Sequence, residues 1–227
     1  MENLFDSREA AAIAAAERIA AALGRRLEAQ GEASLVVSGG TSPAGVFAEL
    51  ARTPLAWPDV HVILSDERWV PADHEDSNEK LVRETLLAGH AQDASLLTVY
   101  RPGVTVEERC HELNDELRQA PFPFACALLG MGEDGHFASL FPDAQNLEEG
   151  LDVDSSELCI PVSTAASPHP RVSLTLSALS RSDEILLLIF GDSKRAVYEA
   201  TKQAANGYPV SHLLRQKRAP VYVYWAP

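Results

Sequence analysis

Only three cysteines occur in 227 residues, Cys110, Cys126 and Cys159. They are odd in number, far apart and without metal-ligand spacing, which argues against a disulfide framework. A reducing compartment fits this usage, so a cytoplasmic location is expected. Positive charge is also short: 19 Lys and Arg stand against 33 Asp and Glu, a net charge of −14. Neutralising phosphates along a nucleic acid takes clustered Lys and Arg. No nucleic-acid partner is therefore expected, and an anionic membrane is a poor one. A small anionic substrate stays compatible, because a few local cations hold one phosphate. The N-terminus lacks a basic segment followed by an apolar core, so no secretory signal is expected. The apolar-rich stretch from Ala10 to Leu23 is alanine-dominated and broken by Glu17 and Arg18, a poor membrane span. No Gly-x-Ser-x-Gly elbow, no Gly-x-x-x-x-Gly-Lys loop and no cysteine with a convincing partner occurs. A covalent serine or cysteine mechanism is thus disfavoured. With no repeat and no low-complexity linker, residues 1–227 read as one domain. Monomer and homodimer are equally compatible.

What is present is an ordinary globular composition, 46% hydrophobic and 23% charged. Asp6 and Glu9 have capping-box spacing, and Ile13, Ala16, Ala20, Leu23 and Leu27 recur at helical spacing, which predicts a core-facing stripe. Strands are expected at 33–38, 60–64, 96–100, 124–129, 158–162, 171–176, 185–190 and 221–225. Helices are expected from Pro43 to about Leu50, over 77–88 with Asp76 and Glu79 as caps, from a Thr105–Glu108 capping box to about Gln119, and from Gly191 to about Ala205. Residues 143–156 read as an exposed acidic connection, and 163–170 as a proline-marked loop. The unbroken apolar run 185–190 suits a strand covered on both faces. Strands alternating with helices give an α/β class with a largely parallel sheet.

The stretch 129–142, Leu-Gly-Met-Gly-Glu-Asp-Gly-His-Phe-Ala-Ser-Leu-Phe-Pro, organises the chain. Three glycines follow a buried strand, as in a ligand-binding loop at a strand's carboxyl end. Asp134 and His136 stand among them. A neutral imidazole takes a proton from water near pH 7, and a carboxylate beside it fixes its tautomer. The same pair also suits a plain turn. Ser38-Gly39-Gly40-Thr41-Ser42 offers amides and hydroxyls at a helix entrance, an anion cradle or an ordinary capped turn. Arg68 in Asp66-Glu67-Arg68 can fork onto a phosphate or carboxylate, or pair with its acidic neighbours. Lys194 and Arg195 at a helix start oppose the helix dipole, which hints at an anionic ligand; Arg171 is as open. His61, His74, His90, His111, His169 and His212 have no spacing that converges on a metal, and read as structural or surface residues.

Taken together in this order, five motifs resemble the 6-phosphogluconolactonase family over nearly the whole chain. They are Ser38 to Pro43, Ser65-Asp-Glu-Arg-Trp-Val-Pro71 with Asp76-Ser-Asn78, Gly130 to Pro142, Arg171-Val-Ser-Leu-Thr175, and Gly191-x-x-Lys194. Related glucosamine-6-phosphate deaminases typically end the central loop in Ile-Ala-Phe-Asn-Glu-Pro. Ala138-Ser-Leu-Phe-Pro142 stands here instead, which favours the lactonase. Phe137 replaces a frequent threonine, an exchange expected to affect packing more than chemistry. The resemblance implies a modified Rossmann-like, largely parallel sheet flanked by helices, as in NagB/RpiA/CoA transferase-like proteins. It implies hydrolysis of 6-phospho-D-glucono-1,5-lactone in the oxidative pentose phosphate pathway, without metal or organic cofactor. The site residues expected are His136 and Asp134 for chemistry, with Gly39, Gly40, Thr41, Ser42, Arg68, Lys194 and Arg171 for the phosphate.

Overall fold

The computed structural model describes residues 1–165, 167–203 and 207–227. Its centre is a seven-stranded sheet in which every pairing is parallel. The strands are β1 (Glu2–Leu4), β2 (Ala33–Val37), β3 (Val60–Leu64), β5 (Ser95–Leu97), β6 (Cys126–Leu129), β9 (Ile185–Phe190) and β10 (Val221–Ala226). They lie in the order β1-β10-β9-β6-β2-β3-β5. A second, antiparallel sheet holds β4 (Asp66–Arg68), β8 (Arg171–Leu174) and β7 (Cys159–Val162) in that order. The helices are α1 (Arg8–Gln30), α2 (Ala44–Leu50), α3 (Asn78–Thr85), α4 (Val106–Arg118), α5 (Leu147–Leu151), α6 (Leu176–Leu179), α7 (Asp192–Gln203) and α8 (Val210–Arg215). One hydrophobic cluster joins both sheets and the helices. This is the modified Rossmann-like class that the sequence suggests.

Strand order explains where a site can form. From β2 the chain moves outward to β3 and β5, then returns through α4 to β6 on the other side of β2. The loops leaving β2 and β6 therefore diverge at their carboxyl ends, the topological switch point where open parallel sheets bind ligands.

Several local expectations change. Ser7, not Asp6, caps α1: its hydroxyl accepts from the Ala10 amide at 3.1 Å. Ile13 is 40% exposed, because the buried stripe of α1 runs through Ala12, Ala15, Ala16, Ile19 and Leu23. Small alanines on that face let the helix approach its neighbours, so the larger Ile13 sits outside. Ser77, not Asp76, is the side-chain cap of α3, accepting from the Lys80 amide. The capping box of α4 is complete on both sides, as its spacing predicts. The connection over 143–156 contains α5, with Ala144 and Gly150 buried. β1, β4, α6 and α8 carry no sequence expectation; each is short and held by neighbouring elements. The expected end of the helix after Gly191, near Ala205, lies outside the described residues, as does Ala166 within the 163–170 loop.

Glu67 joins β4 to α3. Its residue is 1% exposed. One carboxylate oxygen accepts from the amides of Arg68 (2.7 Å) and Asn78 (2.8 Å), the other from the Glu79 amide (2.7 Å) and the Ser77 hydroxyl (3.0 Å). Burial pushes this carboxyl up from its ordinary value, while those donors pull it back. All four partners donate, so an amide nitrogen placed there would meet N–H groups head on. Glu67→Gln is expected to lower stability by about 1–3 kcal/mol, the cost of stranding a buried donor, measured by urea unfolding.

Candidate active site

A cleft of about 270 Å³ opens above the switch point. Its walls come from the ends of four adjacent strands, β9, β6, β2 and β3, and from β8. Gly39, Gly40, Thr41 and Ser42 follow β2, Arg68 follows β3, Gly130 to His136 follow β6, and Lys194 follows β9. Arg171 enters from β8 of the small sheet. The cleft thus gathers every site residue expected from the sequence except Asp134, which stands directly behind His136.

Asp134 Oδ1 lies 2.6 Å from His136 Nδ1 and also accepts the His136 amide at 3.2 Å. A carboxylate only accepts, so Nδ1 carries a proton, and in the neutral ring Nε2 presents its lone pair. Among the described residues nothing bonds Nε2, and His136 faces the cleft. The pair is held tightly. The Gly132 amide donates to the His136 carbonyl (2.9 Å), and the Gly135 amide to the Gly132 carbonyl (3.1 Å). Gly132 must be glycine, because a Cβ there would overlap the His136 ring and reach 2.5 Å from Asp134 Oδ1. Gly135 has φ +77°, which a side chain rarely adopts. Glu133 accepts from the Ser193 hydroxyl at 2.7 Å and so ties the loop to the start of α7.

Phe141, 5% exposed, forms a platform for both functional walls. The His136 ring stacks on it with centroids 4.1 Å apart, and the Arg171 guanidinium lies 5.2 Å from its centroid. Phe137 is fully buried, as a packing residue should be. Ala138, a non-glycine residue at φ +49°, turns the loop behind them. Ser139 then points inward: its hydroxyl donates to Asp66 Oδ2 at 2.6 Å and its amide to Ser173 Oγ at 3.0 Å.

The cations are held by different means. The Arg68 guanidinium forms no ion pair with Asp66 or Glu67 among the described residues. Its Nη1 donates to the Asp76 carbonyl (2.7 Å) and to Asn78 Oδ1 (2.9 Å), and its Nε is buried without a protein partner. Ser38 Oγ, also on the cleft, is likewise buried and unpartnered. Such atoms mark where a ligand or water completes the bonding. Arg171 Nη1 reaches Asp66 Oδ2 (3.5 Å) and Ser139 Oγ (3.3 Å), and its Nε donates to Ser167 Oγ (3.1 Å). Burial depresses the Arg171 guanidinium below its usual value and Arg68 adds to this, while Asp66 opposes both. It stays a cation. Lys194 lines the cleft, whereas Arg195 turns away and lies over the Trp225 ring at 4.2 Å.

Asn78 is the residue that sequence reasoning undervalued. At the start of α3 it donates to the Asp66 carbonyl (2.8 Å), accepts from Arg68, and packs so closely on Gly39 that a Cβ there would overlap its amide. Its place in the Asp76-Ser77-Asn78 motif was the available signal. Asp66, Ser139 and Phe141 were equally unassigned. His74 and His169, which spacing assigns to structural or surface positions, converge with Asp76 at the edge of this region.

Fold and cleft together define an α/β enzyme with an imidazole–carboxylate pair at the switch point of a parallel sheet and cations facing it. The chain belongs to the glucosamine-6-phosphate isomerase/6-phosphogluconolactonase family, which it matches over residues 6–225. It is similar to the 6-phosphogluconolactonase of Caulobacter vibrioides, 42% identical over 98% of this chain and 95% of that protein. It is 39% identical to that of Mesorhizobium japonicum, over 99% and 94%. A crystal structure of a 6-phosphogluconolactonase from Shewanella baltica superposes with a TM-score of 0.95 at 36% identity, covering 100% of this chain and 97% of that one.

Proposed function

We propose that this protein hydrolyses 6-phospho-D-glucono-1,5-lactone to 6-phospho-D-gluconate in the oxidative pentose phosphate pathway, as a one-domain cytoplasmic enzyme. The reading rests on its relatives and on one observation above all. The free Nε2 of His136 shares a single cleft with Arg68, Arg171 and Lys194. Among the described residues no helix is long and apolar enough to cross a membrane.

A lactone carbonyl is electrophilic enough for attack by activated water. His136 Nε2 takes a proton as the water oxygen bonds to C1. Asp134 holds the Nδ1–H tautomer and stabilises the imidazolium that forms. The carbonyl electrons move onto oxygen, and this oxyanion needs donors. The amides of the central loop supply them, or Arg68 if the phosphate leaves it free. When the intermediate collapses, the bond from C1 to the ring oxygen breaks and His136 returns the proton to that oxygen. One water is consumed and no covalent enzyme intermediate forms. The phosphate is gripped by the 39–42 amides and hydroxyls, Lys194, Arg68 and Arg171, which positions the remote lactone for attack.

The test is turnover of freshly made lactone, coupled to 6-phosphogluconate dehydrogenase and read as NADPH, against a blank for spontaneous opening. No rate above the blank, with ammonia released from glucosamine 6-phosphate instead, rejects the reading. Lys194→Ala and Arg68→Ala each remove a charged donor worth about 1.5–3 kcal/mol. KM is expected to rise roughly 10–100-fold in each; unchanged KM in both discards the phosphate assignment.

A further inference from the structure

Two loops border the cleft on the Arg68 side. One joins β4 to α3 and carries His74 and Asp76. The other joins β7 to β8 and carries His169, two residues before Arg171. Although 93 positions separate Asp76 from His169, His169 Nε2 lies 3.3 Å from Asp76 Oδ2. His74 Nδ1 is 3.8 Å from the same oxygen. The two imidazoles meet edge to face with centroids 5.5 Å apart. One ligand atom from each of the three residues lies within 4.8 Å of the other two.

That geometry also fits a metal. A tetrahedral ion with bonds of about 2.0–2.1 Å has ligand–ligand edges of about 3.3–3.4 Å. The His169–Asp76 separation already has this value; the His74–Asp76 one is about 0.5 Å longer, so His74 must shift inward. Its Nδ1 accepts the Asp76 amide at 3.1 Å, a long bond that such a shift gives up. Among the described residues no Lys or Arg pairs with the Asp76 carboxylate; Arg68 uses the Asp76 backbone carbonyl instead. The Arg68 and Arg171 guanidiniums oppose an added cation, and the Asp76 charge offsets them. Asp76 is exposed and both rings are partly so, which leaves a path inward and room for a solvent ligand.

We propose that His74, Asp76 and His169 bind one divalent ion of the zinc class. Two imidazoles and one carboxylate suit such an ion, whereas calcium and magnesium take oxygen shells. None of the three ligands lines the cleft. The ion acts as a clamp: it ties the loop of Arg68 and Asn78 to the loop of Ser167 and Arg171, and so fixes the spacing of two cations that face the cleft.

The test uses the full chain, stripped with a chelator, dialysed, and titrated with cobalt(II) by visible absorption and with zinc(II) by calorimetry. One ion per chain is expected, with the strong d–d bands of a low-coordinate site that zinc abolishes. His74→Ala and His169→Ala are expected to weaken binding by more than the roughly 10–100-fold that loss of a supporting contact costs. His136→Ala is expected to bind as wild type does. His74→Gln and His169→Gln, checked by circular dichroism, serve if an alanine variant does not fold. Absence of saturable binding overturns the proposal. So does wild-type affinity in the folded His169 variants, or loss of binding in His136→Ala alone. None of these readings requires turnover, so they stand apart from the lactonase assay.

Discussion

Replacing His136 with alanine is expected to lower kcat by about 10²–10⁴, the usual worth of a positioned general base, and to leave KM within a few-fold. The asymmetry follows from position. In the role proposed for it, His136 offers the cleft one lone pair and no charge, so it contributes little to holding a phosphorylated ligand. In the proposed transition state Nε2 takes a proton, and the ring becomes a cation whose Nδ1 lies 2.6 Å from Asp134. An interaction made only in the transition state appears in kcat. Turnover in His136→Ala equal to wild type would remove the base assignment while leaving the lactonase activity intact.

Gly132→Ala is expected to reduce kcat on the order of 10²-fold, although it removes no functional group. The added Cβ would overlap the His136 ring and crowd Asp134 Oδ1. Phe141 backs one face of the ring and the Gly132 amide holds the His136 carbonyl, so the ring yields toward the cleft. The pair must therefore shift as a unit relative to the cleft. A displacement near 1 Å is enough to cost about 10²-fold in rate. KM should change less than kcat, because Lys194 and the 39–42 loop are untouched. Circular dichroism and thermal unfolding separate this from a folding defect. Wild-type kcat in the variant would mean that the loop relaxes freely and that the tight turn is not what aims the imidazole.

The Asp134–His136 contact was legible because it is local. Asp134 and His136 are two residues apart, and the glycines that let them meet lie between and beside them. The 39–42 turn, Arg68 and Lys194 were legible for a related reason: each follows an apolar run that reads as a buried strand, and parallel sheets put such loops on one edge. The capping box at Thr105 and Glu108 was readable because both partners sit within one turn. Misreadings were equally physical. Asp6 and Ser7 are both good caps, and only the path of the backbone selects the serine. The stripe through Ile13 and the stripe through Ile19 both have helical spacing, and the facing surface decides which one is buried.

Sequence by itself determined the alternation of strands and helices, the nearness of Asp134 to His136, the glycine turns and the family. Each is written in residues adjacent along the chain or one helical turn apart. Tertiary structure alone decided the rest. The pairing of β4 with β8 brings Arg68 opposite Arg171, across about a hundred residues of chain. Phe141 joins His136 to Arg171 only once the loop has folded over both. Glu67 becomes a buried helix cap, Arg68 escapes its acidic neighbours, and Asp76 meets His169. These contacts are set by strand order and by the burial of one common core, and no local spacing encodes either.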